Sequence, residues 1–261
     1  MRFCSIASGS DGNCHYVEGS SSALLIDAGL SGKHIRENME AAGLAPDRPE
    51  AIFVTHEHSD HVAGIAVWAK KFRVPVYATE GSWKGMGPLA EKVPGELARV
   101  IRCDESVRLG GMTVTPIPLC HDANDPVGYL VEENGASAAV VTDTGVMTEE
   151  ILGLLSLAQL AVVESNYDEW MLRHGPYPVE LQRRIRGSLG HLSNDDCGET
   201  LAALWAYMPS GRYLLGHLSQ NNNTPEQAEK TVRQVVAERL GAVPEGLFLT
   251  HRGLPTQVFE I

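Results

Sequence analysis

The chain is short of cysteine, short of cations and without long apolar runs. Its five cysteines are an odd number with no Cys-x-x-Cys pair among them, so neither a disulfide framework nor a zinc ribbon is indicated. Cys4, Cys14, Cys103, Cys120 and Cys197 read as small buried residues, with Cys120, beside His121, the one to watch. No stretch of about eighteen apolar residues occurs, and Met1 to Ile6 lacks the charged, apolar and cleavage regions of a secretory signal. The expected location is therefore cytoplasmic, with no membrane partner. Lys and Arg number 21 against 33 Asp and Glu, a net charge of -12. That argues against a surface that coats nucleic acid broadly, and leaves room for a local basic patch. No internal repeat, low-complexity tract or linker divides the chain.

What is present is a dense cluster: Thr55-His56-Glu57-His58-Ser59-Asp60-His61 directly follows the apolar run Ala51-Ile52-Phe53-Val54. The run reads as a buried strand, and an extended backbone past its end would let His56, His58 and Asp60 project to one side. From Val62 to Phe72 apolar residues recur at helical spacing, which places Asp60 and His61 at a helix N-terminus. Histidines can cluster by chance on a solvated loop. Four potential ligands on a turn fixed by two packed elements point instead to a metal, which needs only three or four protein ligands. Since the two halves of the motif point in different directions, two metals are expected.

The rest of the chain alternates strands and helices. Strands are expected at Arg2 to Ile6, Cys14 to Glu18, Ala23 to Ile26, Val74 to Ala78, Val100 to Arg102, Ser106 to Arg108, Met112 to Pro118, Gly128 to Glu132, Ala138 to Thr142, Leu160 to Glu164, Leu214 to Gly216 and Leu247 to Thr250. Helices are expected at Ser31 to Ala42, Thr148 to Leu155, Asn194 to Tyr207 and Thr224 to Leu240. Gly81 to Gly95 reads as helix and loop beside the cluster, without a legible role. Periodicity alone reaches an α/β layered protein. Within the block Asn166 to His191 the charge balance reverses, with Arg173, Arg183, Arg184 and Arg186 among few carboxylates. Such a run is usually a solvated helix face; in a chain this acidic it is also a candidate nucleic-acid contact. The loop Ala7-Ser8-Gly9-Ser10-Asp11-Gly12-Asn13 is a plain turn by composition, or a nest of backbone N–H groups facing phosphate.

The seven-residue cluster resembles the signature of the metallo-β-lactamase superfamily, and counterparts of its later motifs are present. His121 follows Val114 to Cys120, Asp143 stands in Val140-Val141-Thr142-Asp143-Thr144-Gly145, and His217 in Leu214-Leu215-Gly216-His217-Leu218-Ser219. The resemblance implies an αββα sandwich over residues 1–261 as a single domain, since a two-domain split would cut the site apart. It implies one metal site of His56, His58 and His121, a second of Asp60, His61 and His217, and Asp143 bridging them. Asp27, in Ile26-Asp27-Ala28-Gly29, matches a further superfamily position and reads as a carboxylate that orients a metal histidine. With histidine and carboxylate donors the two divalent ions would be zinc or manganese, and iron is tolerated.

Several segments narrow the resemblance to the YycJ/WalJ-type branch: Ser8-Gly9-Ser10-Asp11-Gly12-Asn13-Cys14, Val163 to Asp168, Tyr177-Pro178 with Arg183-Arg184-Ile185, Gly190 to Asn194, and Gly216 to Asn223. Tyr167 departs from the histidine expected in many relatives. The branch implies a phosphodiesterase that cuts nucleic acid, DNA before RNA, as an exonuclease of 5'-to-3' polarity. Glu164 and His191 resemble the pair that transfers a proton in ribonuclease Z, which with Asp60 makes them the candidate catalytic residues; Ser10, Arg183, Arg184, Arg186 and Asn222 are the candidate substrate contacts. Two other readings stand beside this one: a thioester or lactone hydrolase of the glyoxalase II type, and a non-catalytic metal-binding regulatory protein. The full ligand set disfavours the latter, and a poor leaving group that needs the Glu164/His191 proton favours phosphodiesters over thioesters.

Overall fold

The computed structural model describes residues 1–261. The chain begins with a meander of β1 (Arg2–Ala7), β2 (Cys14–Glu18) and β3 (Ala23–Ile26), each almost wholly buried. Helix α1 (Gly32–Ala41) is started by the Ser31 side chain, which accepts from the His34 N–H, and leads to β4 (Ala51–Phe53), parallel to β3. Helices α2 (Ser59–Val62) and α3 (Ile65–Phe72), then β5 (Val76–Thr79), α4 (Glu80–Gly85) and β6 (Ala98–Ile101), complete the first half. The second sheet runs through β7 (Val107–Leu109), β8 (Met112–Pro118), β9 (Val127–Glu133), β10 (Ala136–Val141), β11 (Leu160–Glu164), β12 (Arg212–Gly216) and β13 (Leu247–Leu249) in spatial sequence. Between them lie α5 (Glu149–Leu155), α6 (Glu169–His174), α7 (Val179–Ile185), α8 (Asn194–Tyr207) and α9 (Pro225–Leu240). A last short strand, β14 (Phe259–Glu260), returns to the edge of β1.

Three apolar clusters define the layers. Phe3, Val17, Phe53, Tyr129, Val140 and Leu214 pack between the two sheets. Ile35, Ile52, Ile65 and Trp68 join the first sheet to its helices, while Val163, Leu201, Trp205 and Val232 join the second sheet to α8 and α9. Alternate residues of a strand thus face helix and opposite sheet, which is why the central strands read as continuous apolar runs. The result is the expected αββα sandwich.

Three expectations are corrected. The helix read from Val62 to Phe72 is two helices, broken where the Gly64 N–H leaves the helical ladder to donate to the Ala28 carbonyl at 2.8 Å. Asp60 accordingly lies inside the first turn, not on an extended stretch, and does not share a side with His56 and His58. The strand expected near Val100 pairs with β5 at the edge of the first sheet. Of the cysteines, Cys103 and Cys120 are only half-buried, because both lie in connections beyond strand ends.

Candidate metal centre and active-site cavity

The chemistry-bearing loops gather at one end of the sandwich, where β3, β4, β8, β10, β11 and β12 finish. Three of these loops begin with a residue in the left-handed region: Asp27 (φ 63°), Asp143 (φ 61°) and His217 (φ 53°). A non-glycine residue held there costs about 1–2 kcal/mol, so the surroundings fix each one. Asp27 shows how: its Oδ1 accepts the Thr55 N–H at 2.8 Å, and its Oδ2 accepts the Thr55 hydroxyl at 2.8 Å and His61 Nδ1–H at 2.7 Å. A neutral His61 is therefore held with its Nε2 lone pair turned inward, where Asn13 Nδ2 lies 3.1 Å away. The Thr55 hydroxyl, having donated to Asp27, accepts from His56 Nδ1–H at 3.1 Å, which leaves His56 Nε2 bare.

The other histidines follow the same rule. His121 donates Nδ1–H to the Gly190 carbonyl at 3.0 Å, and His217 donates Nδ1–H to Glu164 Oε1 at 2.8 Å. Each ring is oriented by an outer hydrogen bond that aims its Nε2 lone pair inward. There, His58 Nδ1 lies 3.1 Å from His56 Nε2 and 3.3 Å from His121 Nε2. One proton on His58 Nδ1 can serve only one of these two nitrogens, whereas a cation among the three serves them all. Nitrogens about 2.0 Å from a tetrahedral ion would themselves be about 3.3 Å apart. The second trio has His61 Nε2 and His217 Nε2 each 3.5 Å from Asp60 Oδ2. Asp143 lies between the trios, with Oδ2 3.3 Å from His61 Nε2 and Oδ1 3.8 Å from His121 Nε2. Asp143 Oδ2 is buried without any hydrogen-bond partner.

The donor set thus fits divalent cations. Burial alone would raise the Asp143 carboxyl, but His217, His61 and His56 hold it well below the usual range. Burial likewise opposes charge on His61 and His217, yet Asp27 and Asp143 beside the first, and Asp143 and Asp60 beside the second, lift both above the ordinary histidine value, His217 to about 10. Buried carboxylates this close call for positive charge, which a proton or a metal ion supplies. His56 goes the other way: burial pushes it well below the ordinary value, into the neutral form a metal takes.

Asp143, Glu164, His191 and His217 also lie within reach of a shared ion, but here hydrogen bonds explain the grouping. Glu164 Oε1 accepts from Nδ1–H of both His191 and His217, each at 2.8 Å, and its Oε2 accepts the N–H groups of Thr144 and Leu192 at 3.1 and 3.2 Å. Burial would raise this fully enclosed carboxyl, but His191 and His217 hold it down to about 2. In return, although burial works against charge on His191, Glu164 raises that imidazole above its ordinary value. His191 Nε2 has no protein partner, and the ring lines the cavity.

The cavity over the centre encloses about 280 Å³ and is lined by Ser10, His58, Asp60, His121, Asp143 and His217, by His191 beside them, and by Tyr177, Leu181, Arg184 and Ile185. Of the expected substrate contacts, Ser10 and Arg184 are on this lining, while three are not. Asn222 is fully buried with its Nδ2 on the Ser219 hydroxyl, because its loop folds under the cavity floor. Arg186 is turned to Glu169 at 3.3 Å, and Arg183 is exposed outside the lining. Sequence reasoning missed Thr55, which the motif contains; Asp122, adjacent to His121; Asn13, whose Nδ2 is 3.1 Å from His61 Nε2; and Ser8, whose hydroxyl accepts the His217 N–H at 2.9 Å. Each is a neighbour in sequence of a residue already singled out, which is the one signal that pointed to it.

A layered sandwich with histidines and carboxylates converging beyond its strand ends is the architecture of a metal-dependent hydrolase. A model of the β-lactamase superfamily domain matches residues 23–218. The chain is 36% identical to the exodeoxyribonuclease YycJ of Bacillus anthracis, covering 99% of this chain and 98% of that one. It is 35% identical to the exodeoxyribonuclease WalJ of Streptococcus pneumoniae (strain D39 / NCTC 7466), covering 92% of this chain and 90% of that one. The solved metallo-β-lactamase fold protein YhfI of Bacillus subtilis superposes over 100% of both chains with a TM-score of 0.72 at 14% identity, a likeness of fold. The chain belongs to the β-lactamase superfamily, in the branch that contains YycJ and WalJ.

Proposed function

We propose that this metal-dependent hydrolase is a DNA exonuclease of 5'-to-3' polarity, acting in the cytoplasm on phosphodiester bonds with two divalent ions, zinc or manganese. His56, His58 and His121 would hold one ion, Asp60, His61 and His217 the other, with Asp143 shared between them. Because both sheets contribute to this one centre, residues 1–261 are read as a single domain. When bound, such ions acidify a water and stabilise the charge that develops during displacement.

The observation that carries the reading is His191. Its Nδ1 is engaged by Glu164 at 2.8 Å and its Nε2 is free toward the cavity, an imidazolium held ready beside the centre. Water oxygen adds to phosphorus, the bond from phosphorus to the ribose oxygen breaks, and the His191 Nε2 proton goes to that departing oxygen, leaving an alcohol and a phosphomonoester. A thiolate needs no such proton, so the pair favours phosphodiesters over thioesters. The names of the B. anthracis and S. pneumoniae relatives support DNA as the polymer. The test is purified protein with manganese or zinc, given end-labelled DNA and RNA beside a thioester: progressive loss of DNA from the 5' end is expected, and thioester turnover with intact DNA would overturn the reading.

A further inference from the structure

The cavity has two unlike sides. Its metal-facing floor is made of histidines and carboxylates, whereas all three of its apolar lining residues, Tyr177, Leu181 and Ile185, come from one stretch of nine positions. Arg184, in the same stretch, is the only Lys or Arg on the lining. The wall is firmly built. The Tyr177 hydroxyl accepts from Asn221 Nδ2 at 2.9 Å, Gln182 Nε2 donates to the Tyr177 carbonyl at 2.9 Å, and Ile185 packs on buried Tyr167 and Leu172. It is also tied to the proton donor, since the His191 N–H donates to the Ile185 carbonyl at 2.9 Å.

A proton donor has to stand next to the oxygen that departs. The group bearing that oxygen therefore lies on the His191 side of the cavity, against this wall. We propose that Tyr177, Leu181 and Ile185 form a subsite for the departing nucleoside, its base and sugar resting on them, with Arg184 gripping the phosphate on the far side of that nucleoside; this rests on the nuclease reading above. Arg184 spends only its Nε on Asp122, so both terminal amino groups remain for phosphate oxygens. A volume of about 280 Å³ is below the usual range of roughly 300–1,000 Å³ for small-ligand pockets. A single nucleoside resting on this short wall would be unstacked from its neighbours.

The experiment uses the metal-loaded full chain and three substrates: dimethyl phosphate, whose departing methanol is too small to rest on the wall; a deoxydinucleotide; and the same dinucleotide phosphorylated on the far hydroxyl of its departing nucleoside. Tyr177→Ala and Leu181→Ala are each expected to raise KM for the dinucleotides by about tenfold, within the usual worth of a base stacked on a side chain, with a much smaller change on the methyl ester. Tyr177→Phe should restore most of the Tyr177→Ala loss. Arg184→Gln should erase the advantage of the added phosphate. Equal losses on methyl ester and dinucleotide would make the wall structural and overturn the subsite, and an undiminished phosphate advantage in Arg184→Gln would remove Arg184 from it. Failure of the nuclease reading looks different: wild-type protein would hydrolyse the methyl ester and leave dinucleotides and DNA intact.

Discussion

Asp143, just beyond β10, is left-handed at φ 61°, with one carboxylate oxygen near each trio of candidate ligands. If it serves both ions, Asp143→Ala should lower bound metal from two equivalents toward none, read by elemental analysis of the folded variant; an unchanged count would assign it to neither site. Glu164 is the second residue on which the centre turns. It raises His191, and a histidine with a raised pKa keeps its proton below that value and loses it as pH rises through it. The alkaline limb of kcat/KM should therefore lie above the ordinary histidine value of about 6.5, and Glu164→Gln should move it to lower pH. A limb that stays in place would exclude His191 as the group responsible. His56, His58, Asp60, His61, His121, Asp143 and His217 were legible because each closes a short apolar run or stands in the first cluster. Thr55 and Asn13 were not, since a hydroxyl or amide that touches a candidate ligand carries no pattern of its own.

The elements explain how loops so far apart in sequence meet within hydrogen-bonding distance. The Asn13 N–H donates to the Asp60 carbonyl at 2.7 Å, and the Ala28 N–H to the His61 carbonyl at 3.0 Å. Gly29 lies so close to this turn that any Cβ there would collide with the Asp60 carbonyl, which is why glycine follows Asp27 and Ala28. The segment Gly81 to Gly95, mute in sequence, acquires a role through Glu57. Glu57 Oε1 accepts both the backbone and side-chain N–H of Asn124, each at 2.8 Å, and so binds the loop of His56 and His58 to the loop of His121. Helix α4 backs this contact, with Gly85 packed against the Glu57 side chain. Glu57→Gln keeps one acceptor and should weaken the His56/His58/His121 site modestly, whereas Glu57→Ala should weaken it by roughly 10- to 100-fold, as loss of an outer partner does. Metal titration measures this, and equal affinity in both variants would show the two loops to be independent. That coupling was illegible in sequence because it joins residues 57, 85 and 124 through packing, not spacing.

At the scale of the molecule, a net charge of -12 surrounds a cavity with a single lining arginine. DNA affinity should then depend only weakly on salt, with a log–log slope of about -1 to -2. Arg184→Gln should flatten that slope by about 1. Arg183→Gln and Arg186→Gln should change it less, since one is outside the lining and the other is held by Glu169. Equal effects of all three would restore the arginine run as one continuous patch. Apolar strands alternating with helices started by Ser and Thr made an α/β layered protein readable, and the four-layer sandwich followed only from the family resemblance of the His56 to His61 cluster. Which sheet received Ala98–Ile101 was not readable, because strand pairing over such distances is decided by tertiary packing.

In the proposed reaction His191 delivers a proton to a poor leaving group beside the candidate metal centre, and that role can be isolated. The measurement compares His191→Ala with wild type on an ordinary phosphodiester and on its p-nitrophenyl counterpart, at equal metal content. His191→Ala is expected to lose roughly 10²- to 10⁴-fold on the ordinary ester, most of it recovered on the p-nitrophenyl ester, whose leaving group departs without protonation. Equal losses on both substrates, or no loss on either, would contradict it.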